Sequence, residues 1–408
     1  MGNQAFQILK ELPTPLHQSQ CVPHKHELLI CGGKCERACY SYHTLKNEYK
    51  FICDYPSNVL LDGHCVVKLM DNNNNSKNSN EITLLSFGGY PLSYKHTLVM
   101  KYVSVWNDIS NKSNELNNYN QWIPFTDNNN HPIVIGKDEC HYYLGMRATI
   151  GGSNNHLLFI THFKNNISVF DLNTFQFIKH DTIPGHDTQH HCFILNSKNG
   201  QLQEMAKIYQ KKNKQNYQML LFKQNTGLSI EYDEDNKTFQ FHELPVCEDI
   251  ASFFCCAYVC INDVIFFFGG LAINKGNILK SVHKYSIREN KWLKCQNTLP
   301  CPLHDCIAIS SEEDNYIHII GGLNRGKPIS THMKTKVRVW DPSQLSKKEI
   351  ICIIEHWNRN LRIKLGWVDD FNQIIVKYKN LTIKTNIILF NKYSIMQSTV
   401  NCKKNRHN

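Results

Sequence analysis

Four short apolar runs in this chain each end in two adjacent glycines, and this repetition limits the folds available to it. The pairs are Gly32-Gly33, Gly88-Gly89, Gly269-Gly270 and Gly321-Gly322. A polar stretch follows each pair, and Tyr or Trp then lies in a second apolar run. Self-similar segments spaced by roughly 50 residues are typical of repeat folds, in which each copy is one supersecondary unit. We therefore expect a repeat protein.

The repeat is most complete around residues 263–292, and there it resembles the repeat of kelch β-propellers. The run 263–268 precedes Gly269-Gly270, and Tyr285 and Trp292 follow. Kelch proteins share this order of hydrophobic run, diglycine, spaced Tyr and later Trp. The resemblance implies an all-β protein whose four-stranded blades surround a channel. We expect the diglycine strand to be the inner strand, with glycine leaving room for neighbouring backbone.

Segments that match an outermost strand give the number of blades. They lie at residues 49–52, 121–124, 175–178, 239–242 and 292–294, with a sixth copy at 6–9. The copy at 6–9 has no inner strands before it, whereas the blade with Gly321-Gly322 has a third strand predicted at 337–340 and no fourth. The sequence therefore predicts six blades, the last completed by the N-terminal strand, because this closure pairs backbone groups that an open edge would expose.

Two of the six expected blades lack the diglycine. Thr161-His162 follows the apolar run of blade 3, and Lys223-Gln224 follows that of blade 4. Gly151-Gly152 precedes the blade 3 strand, and we interpret it as a hairpin turn. The polar, Asn-rich stretches are predicted to be surface loops. They are residues 71–80, 107–120 and 127–130, to which we add residues 207–218.

The sequence changes character after residue 342. Ser346 and Glu349 have the spacing of a capping box, and apolar residues follow at helical intervals from Ile350 to Leu361. Residues 343–408 hold 12 Lys/Arg and 4 Asp/Glu, a net of +8 out of the formal +10 of the whole chain. We therefore expect a propeller over 1–342, a helical extension over 343–380 and a poorly ordered basic tail over 381–408.

The 17 cysteines are expected to be reduced thiols of an intracellular, cytoplasmic protein. The N-terminal residues 1–14 lack the basic segment and apolar core of a signal peptide. Many cysteines lie within predicted strands, where a free thiol behaves as a small hydrophobic side chain. No apolar run approaches the roughly 18–20 residues that a membrane-spanning helix needs, so no membrane span is predicted.

Two segments are rich in residues that bind metals. The first contains Cys21, His24 and His26, with Cys31, Cys35 and Cys39 beyond it. A strand would spread these side chains over a blade, so we expect core and turn roles for them rather than the tetrahedral convergence that zinc needs. The second segment is residues 186–191. We predict that His17, His64, His191 and His304, which recur after the outer strands, form turn or inter-blade hydrogen bonds.

Basic residues after the last two diglycines form the predicted partner-binding surface. They are Lys275 and Lys280 in blade 5, and Arg325, Lys327, His332, Lys334 and Lys336 in blade 6. If the alignment holds, both loops emerge from the same face of adjacent blades and would attract an acidic peptide. Plain solvation of charged loops is the alternative.

The sequence thus predicts a non-catalytic kelch-type scaffold or adaptor that binds a protein partner through loops on one face, and the basic residues favour an acidic partner. It predicts no catalytic residues, no cofactor and no metal site. The alternative is a propeller enzyme that acts on a carbohydrate or sugar acid, since some kelch relatives have such activities. The scattered charges of the tail do not favour nucleic acid as a partner. The sequence does not indicate an oligomeric state.

Overall fold

The computed structural model describes most of the chain between residues 5 and 359. The described ranges are 5–70, 81–89, 95–107, 118–136, 142–185, 189–196, 216–251, 253–272, 276–311, 315–341 and 355–359. The chain divides into two units, Met1–Asp341 and Pro342–Asn408. In the second unit residues 355–359 are helical and fall within the predicted helix. The rest of the predicted extension and tail lies outside the described residues.

The first unit is an all-β, six-bladed propeller, as the sequence predicts. Its first strand, β1 (Gln7–Ile8), belongs to the last blade. Blade 1 contains β2 (Gln20–His24), β3 (Glu27–Gly33), β4 (Glu36–His43) and β5 (Glu48–Asp54). Blade 2 contains β6 (Cys65–Leu69), β7 (Glu81–Gly88), β8 (His96–Val103) and β9 (Ile123–Pro124). Blade 3 contains β10 (Arg147–Gly151), β11 (Leu157–His162), β12 (Asn166–Asp171) and β13 (Gln176–Thr182).

The other three blades follow the same antiparallel order. Blade 4 contains β14 (Cys192–Leu195), β15 (Asn216–Lys223), β16 (Thr226–Asp233) and β17 (Thr238–Leu244). After helix α1 (Glu248–Ala251) and the short strand β18 (Phe253–Phe254), blade 5 contains β19 (Ala257–Ile261), β20 (Val264–Phe268), β23 (Val282–Ser286) and β24 (Lys291–Lys294). Blade 6 contains β25 (Ile307–Ser310), β26 (Tyr316–Ile320), β29 (His332–Lys336) and β1.

Blades 5 and 6 each carry an additional hairpin between their second and third strands. The hairpin of blade 5 is formed by β21 (Leu271–Ala272) and β22 (Asn277–Ile278), and that of blade 6 by β27 (Leu323–Asn324) and β28 (Lys327–Pro328). A one-turn helix, α2 (Val337–Trp340), follows β29. No described helix is long and apolar enough to cross a lipid bilayer.

The N-terminal strand closes the ring, which confirms the predicted seal of the last blade. Gln7 pairs with Lys334 and Ile8 with Met333. The pairing continues on both sides, because the Leu9 amide donates to the His332 carbonyl at 2.9 Å and the Thr335 hydroxyl donates to the carbonyl of Ala5. Backbone groups at the edge of blade 6 are therefore satisfied by the start of the chain.

The third strand of blade 6 lies earlier than predicted. It is β29, whereas residues 337–340 form α2. Trp340 packs with its ring centroid 5.4 Å from that of Phe6 and 5.7 Å from that of Phe268. Val337 and Trp340 are thus buried because the segment turns back over the core instead of continuing the strand, while Val339 is exposed.

The diglycine strands are the second strands of their blades, and the innermost strands precede them, which corrects the predicted order. The innermost strands β2, β6, β10, β14, β19 and β25 surround the channel, and most neighbouring pairs are in contact. Every residue of β3 and of β20 is buried, because a second strand has a strand on each side and a blade against each face. This double burial explains their continuous apolar runs.

The diglycines lie where the segment leading into the next blade approaches the second strand. A Cβ on Gly269 would stand 2.2 Å from the Leu303 carbonyl oxygen, and one on Gly321 would stand 2.3 Å from that of Leu16. The following amides, of Gly270 and Gly322, donate to the same two carbonyls at 2.8 and 2.7 Å. Adjacent blades therefore dock backbone to backbone here. We call the side of the propeller on which the second strands end the diglycine face.

Candidate functional site

Each innermost strand is preceded by one residue in the left-handed region of backbone space, two positions before the strand begins. These residues, which we call the axial ring, are Gln18 (φ 51°), Gly63 (φ 63°), Gly145 (φ 63°), His190 (φ 45°), Cys255 (φ 56°) and Asp305 (φ 53°). The start of each innermost strand pairs with the end of the second strand, as Gln20 does with Cys31. The axial ring therefore lies at the diglycine face.

Backbone hydrogen bonds join neighbouring residues of the axial ring at three junctions between blades. The amide of Asp305 donates to the carbonyl of Cys255 at 3.0 Å, and that of Gln18 donates to the carbonyl of Asp305 at 2.9 Å. The His190 amide likewise donates to Gly145, at 2.8 Å. A left-handed conformation costs a residue with a Cβ about 1–2 kcal/mol. The ring is thus a fixed frame in which every non-glycine residue is held at a conformational cost.

A cavity of about 210 Å³ lies along the channel and is lined by residues of all six blades. Its polar lining includes Gln18 of blade 1, Arg147 of blade 3, His190 of blade 4, Cys255 of blade 5 and Asp305 of blade 6. Pockets for drug-sized ligands measure roughly 300–1,000 Å³. This cavity is smaller, so it suits a small ligand or an ion with several waters.

Three consecutive blades bring His190, Cys255 and Asp305 together at the mouth of this cavity. One nitrogen, one sulfur and one oxygen of these side chains all lie within 4.8 Å of one another. His190 Nδ1 and Asp305 Oδ1 are 3.9 Å apart, and these two side chains are 9% and 8% exposed. Among the described residues, no other three His, Cys, Asp or Glu side chains converge in this way.

Neighbouring groups hold the cluster in place. His304 Nδ1 is 3.0 Å from Asp305 Oδ2 and hydrogen-bonds to it, which leaves Oδ1 to face His190. The His190 ring lies edge-on to Phe254, with centroids 5.5 Å apart. A Cβ on Gly145 would stand 2.6 Å from the same imidazole, so glycine in blade 3 makes room for the histidine of blade 4.

The surroundings set the protonation of the cluster. Burial, helped by the positive charge of Arg147, lowers the pKa of His190 to about 4, so its imidazole is neutral at neutral pH. Burial and the nearby Asp305 carboxylate raise the pKa of the Cys255 thiol well above its usual value. Burial works against ionisation of Asp305, but the hydrogen bond from His304 and the interaction with His190, when that imidazole is protonated, lower the pKa of the carboxyl overall. Imidazole, thiol and carboxylate therefore stand side by side.

The sequence-predicted basic residues separate into two groups. Lys280, Arg325 and Lys327 are exposed at the diglycine face of blades 5 and 6, as predicted. Lys334 and Lys336 lie along β29, which runs away from that face, and Lys336 pairs with Tyr316 at the opposite end of the blade. Lys275 lies outside the described residues.

His332 does not belong to a loop surface. It is the first residue of β29, and its side chain is fully buried. Its Nε2 is 2.9 Å from His318 Nδ1, and its Nδ1 is 2.5 Å from the Tyr49 hydroxyl. The prediction of an accessible histidine is wrong because the third strand begins earlier than expected, so His332 enters the core of the blade.

Two of the recurring histidines form the predicted inter-blade hydrogen bonds. His64 Nε2 is 3.0 Å from the Cys31 carbonyl oxygen, and His191 Nε2 is 2.6 Å from the Thr161 hydroxyl. Both residues directly follow the axial ring and reach the second strand of the preceding blade. His17 and His304 lie one residue before the ring, so the four histidines occupy two positions of the repeat rather than one.

The Cys/His segment near the N terminus is spread over blade 1, as predicted. Cys21 and His24 lie in β2, Cys31 in β3 and Cys39 in β4. Cys31 and Cys39 pair across their strands, but no three of these side chains converge. All the cysteines that the structure describes are free thiols. None of the three residues at the cavity mouth is among the sequence-predicted site residues.

The comparisons with known proteins support the fold and go no further. No protein-family model matches the chain, and no curated protein matches it. Among solved structures, the chain is similar to that of YjhT, with a TM-score of 0.50 and 14% identity over 80% of this chain and 96% of the other. At this identity the similarity shows the propeller fold alone, so kelch membership stays a prediction.

Proposed function

We propose that this chain is a non-catalytic, kelch-type propeller that binds an acidic segment of a protein partner on its diglycine face. The supporting observation is a pair of projecting hairpins on adjacent blades, accompanied by exposed basic residues. The β21–β22 hairpin of blade 5 and the β27–β28 hairpin of blade 6 extend beyond their diglycines. A Cβ added to Gly276 or Gly326, at the turns of these hairpins, would meet no atom within 4 Å.

Exposed cations accompany these hairpins. Arg325 and Lys327 lie in the hairpin of blade 6, and Lys280 follows that of blade 5. Blade 1 differs, because only Lys34 and Cys35 connect its second and third strands. Two raised, positively charged edges on neighbouring blades would attract an acidic segment and fix its orientation, chiefly by speeding encounter and selecting the partner.

The cavity distinguishes this proposal from the alternative, an enzyme acting on a carbohydrate or sugar acid. Convergence of Arg147, His190 and Asp305 on the channel favours the alternative. Its volume of about 210 Å³ lies below the range of pockets for drug-sized ligands, so the alternative is limited to a small substrate. We further propose a cytoplasmic location, which the free thiols of the described cysteines support.

Charge reversal tests the proposal. The triple variant Lys280→Glu, Arg325→Glu, Lys327→Glu should lose its partners when the full chain is used to capture proteins from cell extract. The matched control is Lys237→Glu, Lys291→Glu, Lys336→Glu, which changes three exposed lysines at the opposite ends of the strands. Equal recovery by both variants would contradict the proposed surface. Binding or turnover of sugar acids in an NMR screen would favour the enzyme instead.

A further inference from the structure

We propose that His190, Cys255 and Asp305 bind one divalent transition-metal ion, of which Zn²⁺ is the best fit, at the diglycine mouth of the channel. The ion would have three protein ligands and a fourth position open to the cavity. This site is independent of the basic hairpins, so either proposal can fail without the other.

The three donor atoms are of types that suit Zn²⁺. Imidazole nitrogen, thiolate sulfur and carboxylate oxygen are the three ligand types that Zn²⁺ uses in proteins, in tetrahedral geometry. Zinc–ligand bonds of about 2.0–2.3 Å place donor atoms roughly 3.3–3.6 Å apart. The donors here lie within 4.8 Å of one another, and the nitrogen–oxygen pair is 3.9 Å apart. Small side-chain rotations would therefore complete the site.

The axial ring holds the three ligands in a rigid frame. All three ligands occupy the same position of the repeat, and their backbones take part in the hydrogen bonds of the axial ring. Each side chain is more than nine-tenths buried. A ligand set held by three neighbouring blades loses little conformational entropy when an ion arrives.

Contacts with neighbouring residues orient two of the three ligands. Carboxylates that bind metals commonly accept a hydrogen bond on their second oxygen, which orients the first. His304 makes this contact with Asp305 Oδ2, while Oδ1 points toward His190. Phe254 and Gly145 confine the imidazole. The cluster therefore has an outer layer that fixes two of the three ligands.

Binding of the metal ion leaves the site with no net charge. As the sulfur–metal bond forms, the S–H bond of Cys255 breaks and its proton leaves to water through the cavity. The thiolate and the Asp305 carboxylate then neutralise the two positive charges of the ion. Arg147, on the cavity wall, faces a neutral site and can attract an anionic group or an ordered water to the open position.

Cobalt spectroscopy on the full chain tests the site, because Co²⁺ replaces Zn²⁺ and reports its ligands. Metal-stripped protein titrated with Co²⁺ should show a thiolate-to-cobalt charge-transfer band and tetrahedral d–d bands that saturate at one ion and disappear when Zn²⁺ is added. Cys255→Ser should lose the charge-transfer band. Asp305→Asn should bind Co²⁺ at least roughly 100-fold more weakly, and His304→Gln roughly 10-fold more weakly.

Cys35→Ser is the matched control, because Cys35 is exposed in the β3–β4 turn, and it should keep the full spectrum. A charge-transfer band that persists in Cys255→Ser, or its absence from the wild type, would overturn the proposal. If Cys255→Ser fails to fold, the folded Asp305→Asn variant decides the question, since it keeps every thiol. Unchanged Co²⁺ affinity in that variant would place the ion elsewhere and refute the site.

Discussion

The axial ring has two dissimilar halves. In blades 2 and 3 the left-handed position is occupied by Gly63 and Gly145, which adopt it without steric cost. In blades 4, 5 and 6 the same position is occupied by His190, Cys255 and Asp305, and in blade 1 by Gln18, each at a cost of about 1–2 kcal/mol. Both halves satisfy the same backbone geometry, so the fold alone does not require the three functional side chains. Strain retained on one side of a repeat is typical of functional sites.

The largest difference between the halves should appear when a side chain is added to the glycine half. A Cβ on Gly63 would stand 2.3 Å from the backbone nitrogen of Gly145, so Gly63→Ala combines left-handed strain with a backbone collision. We expect a loss of about 3–5 kcal/mol in the free energy of unfolding, measured by urea denaturation. Gly326→Ala, in open space at φ 74°, should lose only about 1–2 kcal/mol. Equal losses would contradict the close packing of the ring.

Zn²⁺ should stabilise the protein only through the half of the axial ring that contains His190, Cys255 and Asp305. With free Zn²⁺ at 100 times its dissociation constant, the free energy of unfolding should rise by about 2.7 kcal/mol, which is measurable as a higher melting temperature. Asp305→Asn, which should bind the ion at least roughly 100-fold more weakly, should show a rise of at most about 0.4 kcal/mol at the same concentration. A rise of equal size in this variant would assign the stabilising ion to other thiols.

Acid should weaken the glycine half through His64, which follows Gly63 and is fully buried. Burial, with a contribution from Arg147, lowers the pKa of His64 to about 4 despite its bond to the Cys31 carbonyl. Below the unfolded-state pKa of about 6.5 the unfolded chain binds a proton that the folded protein refuses, so stability falls as pH decreases from 6.5 toward 4. At pH 5 the His64 contribution to this loss should be about 2 kcal/mol.

His64→Gln isolates this contribution from that of other buried histidines, such as His96, whose ring lies 6.2 Å away. The variant should be less sensitive to pH than the wild type in chemical denaturation at pH 7 and pH 5. His242→Gln alters an exposed strand residue and should follow the wild-type curve. A His64→Gln curve parallel to that of the wild type would refute the assignment.

The smallest effect on stability should follow from a substitution that removes a proposed metal ligand but leaves the fold intact. Cys255→Gly relieves left-handed strain but loses a buried thiol and gains chain entropy in the unfolded state, so we expect its stability to stay within about 1 kcal/mol of the wild type. Cys192→Gly, in the extended strand β14, offers no such relief and should lose about 2 kcal/mol or more. Thermal unfolding of the pair compares the two positions directly, and equal losses would argue against strain at Cys255.

Much of the fold was predictable because the second and outermost strands repeat visible patterns. The diglycines gave the register, and blades 3 and 4, which lack them, were still found from their apolar runs. The innermost strands were missed because no diglycine follows them and the second strands were assigned their place, although β14 and β19 are themselves continuous apolar runs. Residues 337–340 were predicted to form a strand because the apolar residues of α2 are of types that are also common in strands.

The site was far less predictable. His190, Cys255 and Asp305 share a backbone conformation and a place in the ring, not a sequence motif, and they are distant along the chain. Aligning residues two positions before each innermost strand would have found them, but those strands were themselves hidden. The basic surface was predicted only where the loops were correctly bounded. Lys280, Arg325 and Lys327 lie on the diglycine face, whereas Lys334 and Lys336 belong to β29.

The zinc site is tested most directly by an anomalous difference map, recorded at the zinc absorption edge, from crystals of the full chain grown with equimolar Zn²⁺. We expect one strong peak at the diglycine mouth of the channel, bonded to His190 Nδ1, Cys255 Sγ and Asp305 Oδ1. A peak bound by other cysteines with the axial ring empty, or no peak at all, would contradict it.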